Sequence, residues 1–325
     1  MFKSIGLFLL GLLTIGTSEF PPAVSKSEQA TLITTGGIKI HALRTGWVRV
    51  KQAHRELNAP DFWALPAVFT SGWADWMPIV IYLVEHPEGV FLVDTGPAED
   101  INSPGYYDCD ARNGFFYQQN LRFDLPLGES LLTRLKSLEI PPERIKTVLI
   151  THFHADHIGG VAQLPHARFL TGSGNWPTHI GAFTCRLPTD FQPETVRYLP
   201  DPVGLITHSA PLTADGRVRV VPLPGHTPGH VGLAVVEKGH FWLMAGDATF
   251  DSDQTLRGGI TAVSQNLSQA RETQAVLKRM LDSGKITLLP AHDPEVFARL
   301  TKTQLSQGRV TQKTKRSASI QGRWR

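Results

Sequence analysis

The chain has 325 residues, 41% hydrophobic and 19% charged, which excludes a largely disordered polymer and allows a substantial buried core. Its formal charge of +3 belongs to one end, because seven of the 32 basic residues fall from Lys302 onward, where no Asp or Glu occurs. The rest of the chain is slightly acidic, so the basic balance describes a tail and not a basic binding face, no nucleic-acid partner is expected, and two cysteines exclude a disulfide-dense scaffold or a thiolate zinc site.

Lys3 precedes a short apolar run from Ile5 to Ile15. Such a run falls short of the roughly 20 residues that cross a bilayer, so residues 1–23 are expected to be an export signal, cut after Ser18 or Ala23, with an uncleaved N-terminal anchor as the alternative. The mature protein is then periplasmic or secreted, with no stable membrane insertion. Export permits Cys109 and Cys185 to pair, and the sequence leaves that pairing open.

Thr31 to Val50 reads as strand with a turn at Gly36-Gly37. From 53 to 78, Phe62, Trp63, Phe69, Trp73 and Trp76 stand among Pro, Ala, Ser and Gly. This predicts an irregular loop, read first as core packing and second as a wall for an apolar substrate. Met77–Glu85 and Val90–Val93 form a hairpin that ends at Asp94, and Gly128–Ile140 has helical spacing stopped by Pro141-Pro142. Thr147–Ile150 is a short buried strand, and 171–215 is rich in the Gly, Pro and Thr of long loops. Arg217–Pro222 alternates as a strand, and a second hairpin, Val231–Val236 with Phe241–Ala245, ends at Asp247. Two apolar hairpins that each end in Asp point to a pseudo-duplicated architecture. A helix over Leu267–Leu281, a strand over Ile286–Leu289 and a helix opening at Asp293-Pro294 complete the pattern. Strands and helices alternate without a linker, which predicts one α/β domain over 31–303 and a basic, disordered tail over 304–325.

The strand Thr147–Ile150 runs directly into Thr151-His152-Phe153-His154-Ala155-Asp156-His157-Ile158-Gly159-Gly160, where three imidazoles and a carboxylate fall within six residues. His152 and His154 can face one point while Asp156 and His157 turn to a neighbouring one, so a single loop can serve two ions. A catalytic zinc takes three protein ligands and keeps an open position. His226, Asp247 and His292, each just after an apolar segment, complete two such sets. Imidazole and carboxylate without thiolate suit Zn²⁺, and also Mn²⁺, Fe²⁺ or Co²⁺. His41, His54, His86, His166, His179, His208 and His240 lie outside this pattern and read as core or surface residues, and His230 as a residue that orients its loop or starts a strand.

The arrangement resembles the metallo-β-lactamase superfamily, whose His-x-His-x-Asp-His signature is matched at His152, His154, Asp156 and His157 and whose later ligands match at His226, Asp247 and His292. The resemblance implies a four-layer αββα sandwich. It also implies one ion on His152, His154 and His226, a second on Asp156, His157 and His292, and Asp247 as a bridge between them. Asp94 would orient a ligand imidazole, Asp156 would act at the reaction centre, and a hydroxide between two divalent ions, Zn²⁺ foremost, would be the nucleophile. Thr227-Pro228-Gly229-His230, Gly246 to Phe250 and Ala291-His292-Asp293 look most like the N-acyl homoserine lactonase group, which commonly carries a Tyr three residues after the bridging Asp, where this chain has Phe250.

The resemblance therefore implies an exported metal-dependent hydrolase that opens a lactone or related ester carbonyl of a small molecule with an apolar or acyl part. N-acyl homoserine lactones, and hence quorum quenching, are the leading candidates. A β-lactamase is the alternative that Asp247 disfavours, and a thioester hydrolase like glyoxalase II is disfavoured by the short chain after His292. A di-iron redox protein and a non-catalytic metal-containing binding module are the remaining readings. The sequence does not specify the oligomeric state.

Overall fold

In the computed structural model the described residues are 19–21, 29–177 and 180–305. Most of the expected export signal and of the basic tail lies outside them. Among the described residues no helix is long and apolar enough to cross a membrane.

The first sheet contains β1 (Gln29–Ile33), β2 (Lys39–Val50), β3 (Met77–His86), β4 (Gly89–Val93), β5 (Leu121–Asp124), β6 (Ile145–Leu149), β7 (Arg168–Thr171) and β8 (Glu194–Thr195). Its order is β1-β2-β3-β4-β6-β7-β8, with β5 also paired to β2. The second sheet contains β9 (Ala210–Pro211), β10 (Val218–Pro222), β11 (Val231–Glu237), β12 (His240–Gly246) and β13 (Ile286–Pro290), in the order β13-β12-β11-β10-β9. In each sheet an antiparallel hairpin, β3-β4 or β11-β12, is followed by a strand parallel to its second arm, β6 or β13. The duplicated pattern read from the two hairpins is thus also a duplicated connectivity.

Side-chain alternation builds the layers. On β3, Val80, Tyr82 and Val84 pack against Val220, Leu233, Val235 and Met244 of the second sheet, whereas Ile81 and Leu83 point outward to meet Leu131 and Leu135 of α4 (Leu131–Ser137). The outer face of the second sheet, with Ala234, Leu243 and Leu288, is covered by Leu277 and Met280 of α7 (Leu267–Asp282). The result is the expected αββα sandwich. Each of these Val, Leu or Ile side chains contributes about 1.5–3 kcal/mol by leaving water.

Four local expectations change. The aromatic segment is not an irregular loop, since it holds α1 (Gln52–Arg55), a 3₁₀ turn (Asp61–Trp63) and α2 (Ala64–Thr70). Pro66 falls in the first turn of α2, where its missing N–H leaves no helical bond unmade. A helix absent from the sequence reading, α3 (Ala111–Asn120), is capped by Asp110, which accepts from Asn113 N. The α4 helix is shorter than Gly128–Ile140, because Glu139 takes φ 56° and Ile140 N donates to Leu135 O, closing the end before Pro141. The last helix, α8, starts at 296 rather than at Pro294. The open question of Cys109 and Cys185 is also answered, as they are bonded to each other.

Candidate metal centre

The ligand candidates gather at the carboxyl ends of strands, the place where open α/β sheets present their polar groups. Asp94 follows β4, His152 and His154 follow β6, Asp247 follows β12 and His292 follows β13. Asp156 and His157 lie on α5 (Ala155–Ile158), and His226 lies in the turn between β10 and β11.

Local chain geometry explains how these loops hold their side chains. Asp94 has φ 59°, a left-handed backbone that non-glycine residues seldom adopt and that costs of order 1 kcal/mol. Its carboxylate is used in full, with Oδ1 accepting from Thr151 N and Oδ2 accepting from Thr151 Oγ1 and His157 Nδ1, all at 2.8 Å. Just beyond, Thr95 N donates to His157 O and Gly159 N donates to Gly96 O, both at 2.8 Å. This approach requires glycine at 159, where a Cβ would lie 1.9 Å from Ala98 N.

The seven residues form two groups. His154 Nδ1 lies 2.9 Å from His152 Nε2 and 3.2 Å from His226 Nε2, and Asp247 Oδ2 lies 3.8 and 3.7 Å from those two Nε2 atoms. In the second group Asp156 Oδ2 is 3.7 Å from His157 Nε2 and 3.5 Å from His292 Nε2. Asp247 Oδ1 is 3.4 and 3.3 Å from the same pair. Asp247 therefore turns one oxygen toward each group. Within each of the two groups, His152-His154-His226-Asp247 and Asp156-His157-His292, the candidate ligand atoms lie within 4.8 Å of one another.

The residues fit divalent cations. His157 Nδ1 faces Asp94 and His292 Nδ1 faces the Pro78 carbonyl at 2.9 Å, so both Nδ1 protons are committed outward. Their Nε2 lone pairs then face the carboxylates of Asp156 and Asp247, an arrangement that a cation between them resolves. Consistently, His157 Nε2 and Asp247 Oδ1 are buried and make no hydrogen bond. Nitrogens about 2.0–2.1 Å from a tetrahedral zinc stand about 3.3 Å apart, close to the spacings seen here. In the protein alone, burial pushes the His157 imidazole down, but Asp247, Asp156 and Asp94 outweigh it and hold the group well above its ordinary value. Burial pushes the Asp156 carboxyl up despite His157 and His292.

Further positioning residues were not legible as such. Asn175, fully buried, donates through Nδ2 to Thr151 O and Gly229 O and accepts from Thr227 Oγ1, tying the His152 loop to the His226 loop. Its placement just beyond β7, parallel to β6, is the signal that could have found it. His230 Nε2 accepts from Asp247 N at 3.1 Å, a more specific role than loop orientation. Tyr117 OH accepts from Ala155 N and donates to Gly181 O. The Pro78 carbonyl, Val80 N and Tyr82 OH of β3 hold His292 Nδ1, Ala291 O and Pro290 O in turn. His54, read as a core or surface residue, is buried outside the ligand groups and also lines the cavity over the centre.

That cavity has a volume of about 460 Å³. His154, Asp156, Asp247 and His292 form its polar floor, and Leu65, Phe69, Phe115, Phe116, Ile180 and Phe250 contribute apolar walls. The aromatic segment thus divides: Leu65 and Phe69 reach the cavity, while Trp73 lies under the cations of Lys51 and Arg122. Phe250 is buried, with its ring 5.0 Å from that of His292, and brings no polar atom to the site. A third cluster, His86, Glu88 and Asp215, is partly exposed and already engaged by Arg217, whose guanidinium is 2.6 Å from Asp215 Oδ2.

Comparison with known proteins agrees with this geometry. The profile of the metallo-beta-lactamase superfamily matches residues 74–292. A probable metallo-hydrolase of Mycobacterium bovis is 30% identical over 241 residues, covering 67% of this chain and 75% of that one. The N-acyl homoserine lactonase AttM of Azorhizobium caulinodans is 23% identical, covering 82% and 97%. The solved structure of a B. thuringiensis AiiA variant with N-decanoyl-L-homoserine at its active site superposes with a TM-score of 0.63 at 18% identity, covering 79% of this chain and 93% of that one. Fold and site together define a metal-dependent hydrolase. The chain belongs to the metallo-β-lactamase superfamily.

Proposed function

We propose that the protein is an exported, dinuclear lactone or ester hydrolase acting on a small molecule with an apolar or acyl part, N-acyl homoserine lactones being the first candidates. The observation that carries this reading is the pair of ligand groups sharing Asp247 beneath a cavity whose walls are mostly apolar. His152, His154 and His226 would hold one ion, Asp156, His157 and His292 the other, and Asp247 both. The imidazole and carboxylate donor set suits Zn²⁺, taken as the first candidate, and equally Mn²⁺, Fe²⁺ or Co²⁺. Bound there, two divalent ions supply a Lewis acid for the carbonyl and a nucleophile drawn from water near neutral pH.

The chain's own residues do the rest. Asp94 and Thr151 orient imidazoles, and Asn175 keeps the two ligand loops in register. Leu65, Phe69, Phe115 and Ile180 take up an acyl chain and exclude water from the carbonyl. The apolar run after Lys3 and the Cys109–Cys185 bond support export to an oxidising compartment.

Metal analysis of the purified protein, followed by a panel of N-acyl lactones, aryl esters, β-lactams and thioesters before and after chelation, tests the reading. The expected result is two equivalents of zinc per chain and turnover of lactones or esters that chelation abolishes. Preferential turnover of β-lactams or thioesters would replace the substrate class. A metal-loaded but inert protein would favour the binding module.

A further inference from the structure

His54 sits on α1, upstream of every ligand candidate, yet its imidazole opens onto the same cavity as Asp247 and His292. The side chain is only 6% exposed, and its Nδ1 is buried without a hydrogen-bond partner. An imidazole nitrogen buried in that way has given up its hydrogen bond to water without a replacement from the protein. Its ring packs 6.0 Å from Phe116 and 6.1 Å from Phe250, between two side chains that offer no acceptor.

The position is built rather than incidental. Ala262 N donates to Ala53 O, Gln254 Nε2 donates to Arg55 O, and Arg55 Nη2 pairs with Asp251 Oδ2 at 2.7 Å. The backbone on either side of His54 is therefore bonded to the chain around Phe250. Gln254 Oε1 in turn accepts from Phe250 N at 2.8 Å, so one side chain fixes both cavity residues.

The other polar side chains of the cavity outside the ligand groups are already used or lie at its rim. Tyr117 OH is bonded to Gly181 O, Asn113 Nδ2 to Asp110 and Ala182 O, Ser264 Oγ to Thr261 Oγ1, and Gln265 Nε2 to Ile180 O. Arg112 is exposed. Burial pushes the His54 imidazole down to about 3, so near neutral pH it is uncharged, with one N–H to give and one lone pair. Among the described residues His54 is the buried polar side chain of this pocket, outside the ligand groups, with an uncommitted ring nitrogen, and such a group can orient a ligand in apolar surroundings.

We infer that His54 is the hydrogen-bond donor that contacts the acyl oxygen of the substrate, fixing the carbonyl over the shared Asp247. The inference rests on the proposed hydrolysis of lactones or esters. Because the donor is neutral and its contact strengthens as charge develops on that oxygen, its loss lowers kcat more than it raises KM.

The test uses the metal-loaded full chain with N-decanoyl homoserine lactone and an aryl decanoate, comparing wild type with His54→Phe, His54→Asn and His54→Gln. Metal content and Tm are measured for each. His54→Phe is expected to lose about 100-fold in kcat with metal bound, and Asn or Gln, which present an N–H near the two ring positions, to recover at least tenfold of it. Nitrogen-15 NMR of the histidines supplies a second readout: the His54 N–H resonance shifts when N-decanoyl homoserine is added. Wild-type kcat in His54→Phe, an equal loss in all three metal-loaded variants, or an unmoved His54 resonance on saturable binding of the product would overturn the inference alone. A metal-loaded wild type that neither turns over nor binds any of these compounds overturns both it and the proposed substrate class.

Discussion

Asp94 Oδ2 lies 2.8 Å from His157 Nδ1, and the same oxygen accepts from Thr151 Oγ1, which is 3.0 Å from His152 Nδ1. One carboxylate therefore sets the ring orientation of an imidazole in each ligand group, directly in one and through a hydroxyl in the other. Removing such outer partners typically costs 10- to 100-fold in metal affinity. Asp94→Asn keeps the shape and one acceptor but removes the charge and presents an N–H to at least one existing donor. Zinc affinity measured by chelator competition is expected to fall by that factor for both equivalents, with little change in circular dichroism. Weakening of a single equivalent would restrict the role of Asp94 to His157.

The ligand candidates were legible in the sequence because coordination demands particular side chains, and His152, His154, Asp156 and His157 offer them within one short loop. Asp247 and His292 were legible because each ends an apolar strand of recognisable alternation. The supporting residues carry no such mark. Asn175 acts through bonds to Thr151, Gly229 and Thr227, contacts that exist only once three loops have met. His54 sits on a four-residue helix, too short for any periodicity to show, and its orientation follows from α6 (Ser252–Arg257) and the chain before it. The α3 helix was missed because Gly114 interrupts it and its aromatic residues do not form a helical stripe, although Asp110 offered a capping signal.

Stability away from the centre depends on a buried charge group. Glu129 Oε2 accepts from Arg44 Nε at 2.9 Å, and Arg134 Nη2 lies 3.4 Å from Glu129 Oε1, with all three residues buried. Glu129→Gln leaves two guanidinium groups in the interior without the carboxylate between them. Loss of one partner of such a group costs about 3–5 kcal/mol. Urea unfolding is expected to show a destabilisation of this order with an unchanged m-value, whereas a loss below about 1 kcal/mol would show that water or neighbouring carbonyls replace the carboxylate.

The Cys109–Cys185 bond joins the start of α3 to the loop that follows Gly181. Both segments wall the cavity, through Arg112, Phe115 and Phe116 on one side and Ile180 and Gly181 on the other. A cross-link over 76 residues removes roughly 4 kcal/mol of unfolded-chain entropy. Reduction, or Cys109→Ser with Cys185→Ser, is expected to lower Tm and raise KM for long-chain substrates more than for short ones, with zinc content unchanged. Equal effects on short and long chains would mean that the bond stabilises the fold without shaping the acyl pocket.

His54 also ties stability to pH in a direction that can be measured. Burial, reinforced by His226, pushes its imidazole down to about 3 in the folded protein, while in the unfolded chain it titrates near 6.5. Between these values the unfolded state binds one proton more than the folded state, so stability rises with pH there. The contribution is fully present above about pH 6.5 and is lost, at about 1.4 kcal/mol per pH unit, as the pH falls toward 3. His54→Phe removes this term while leaving the ligand groups in place, so their own titration cancels in the difference between the two proteins. From about pH 6 to about pH 5 the wild type is expected to lose roughly 1 kcal/mol more unfolding free energy than the variant. Parallel pH profiles would show that His54 becomes protonated in the folded protein, and its imidazole would then enter the cavity as a cation instead of a neutral donor.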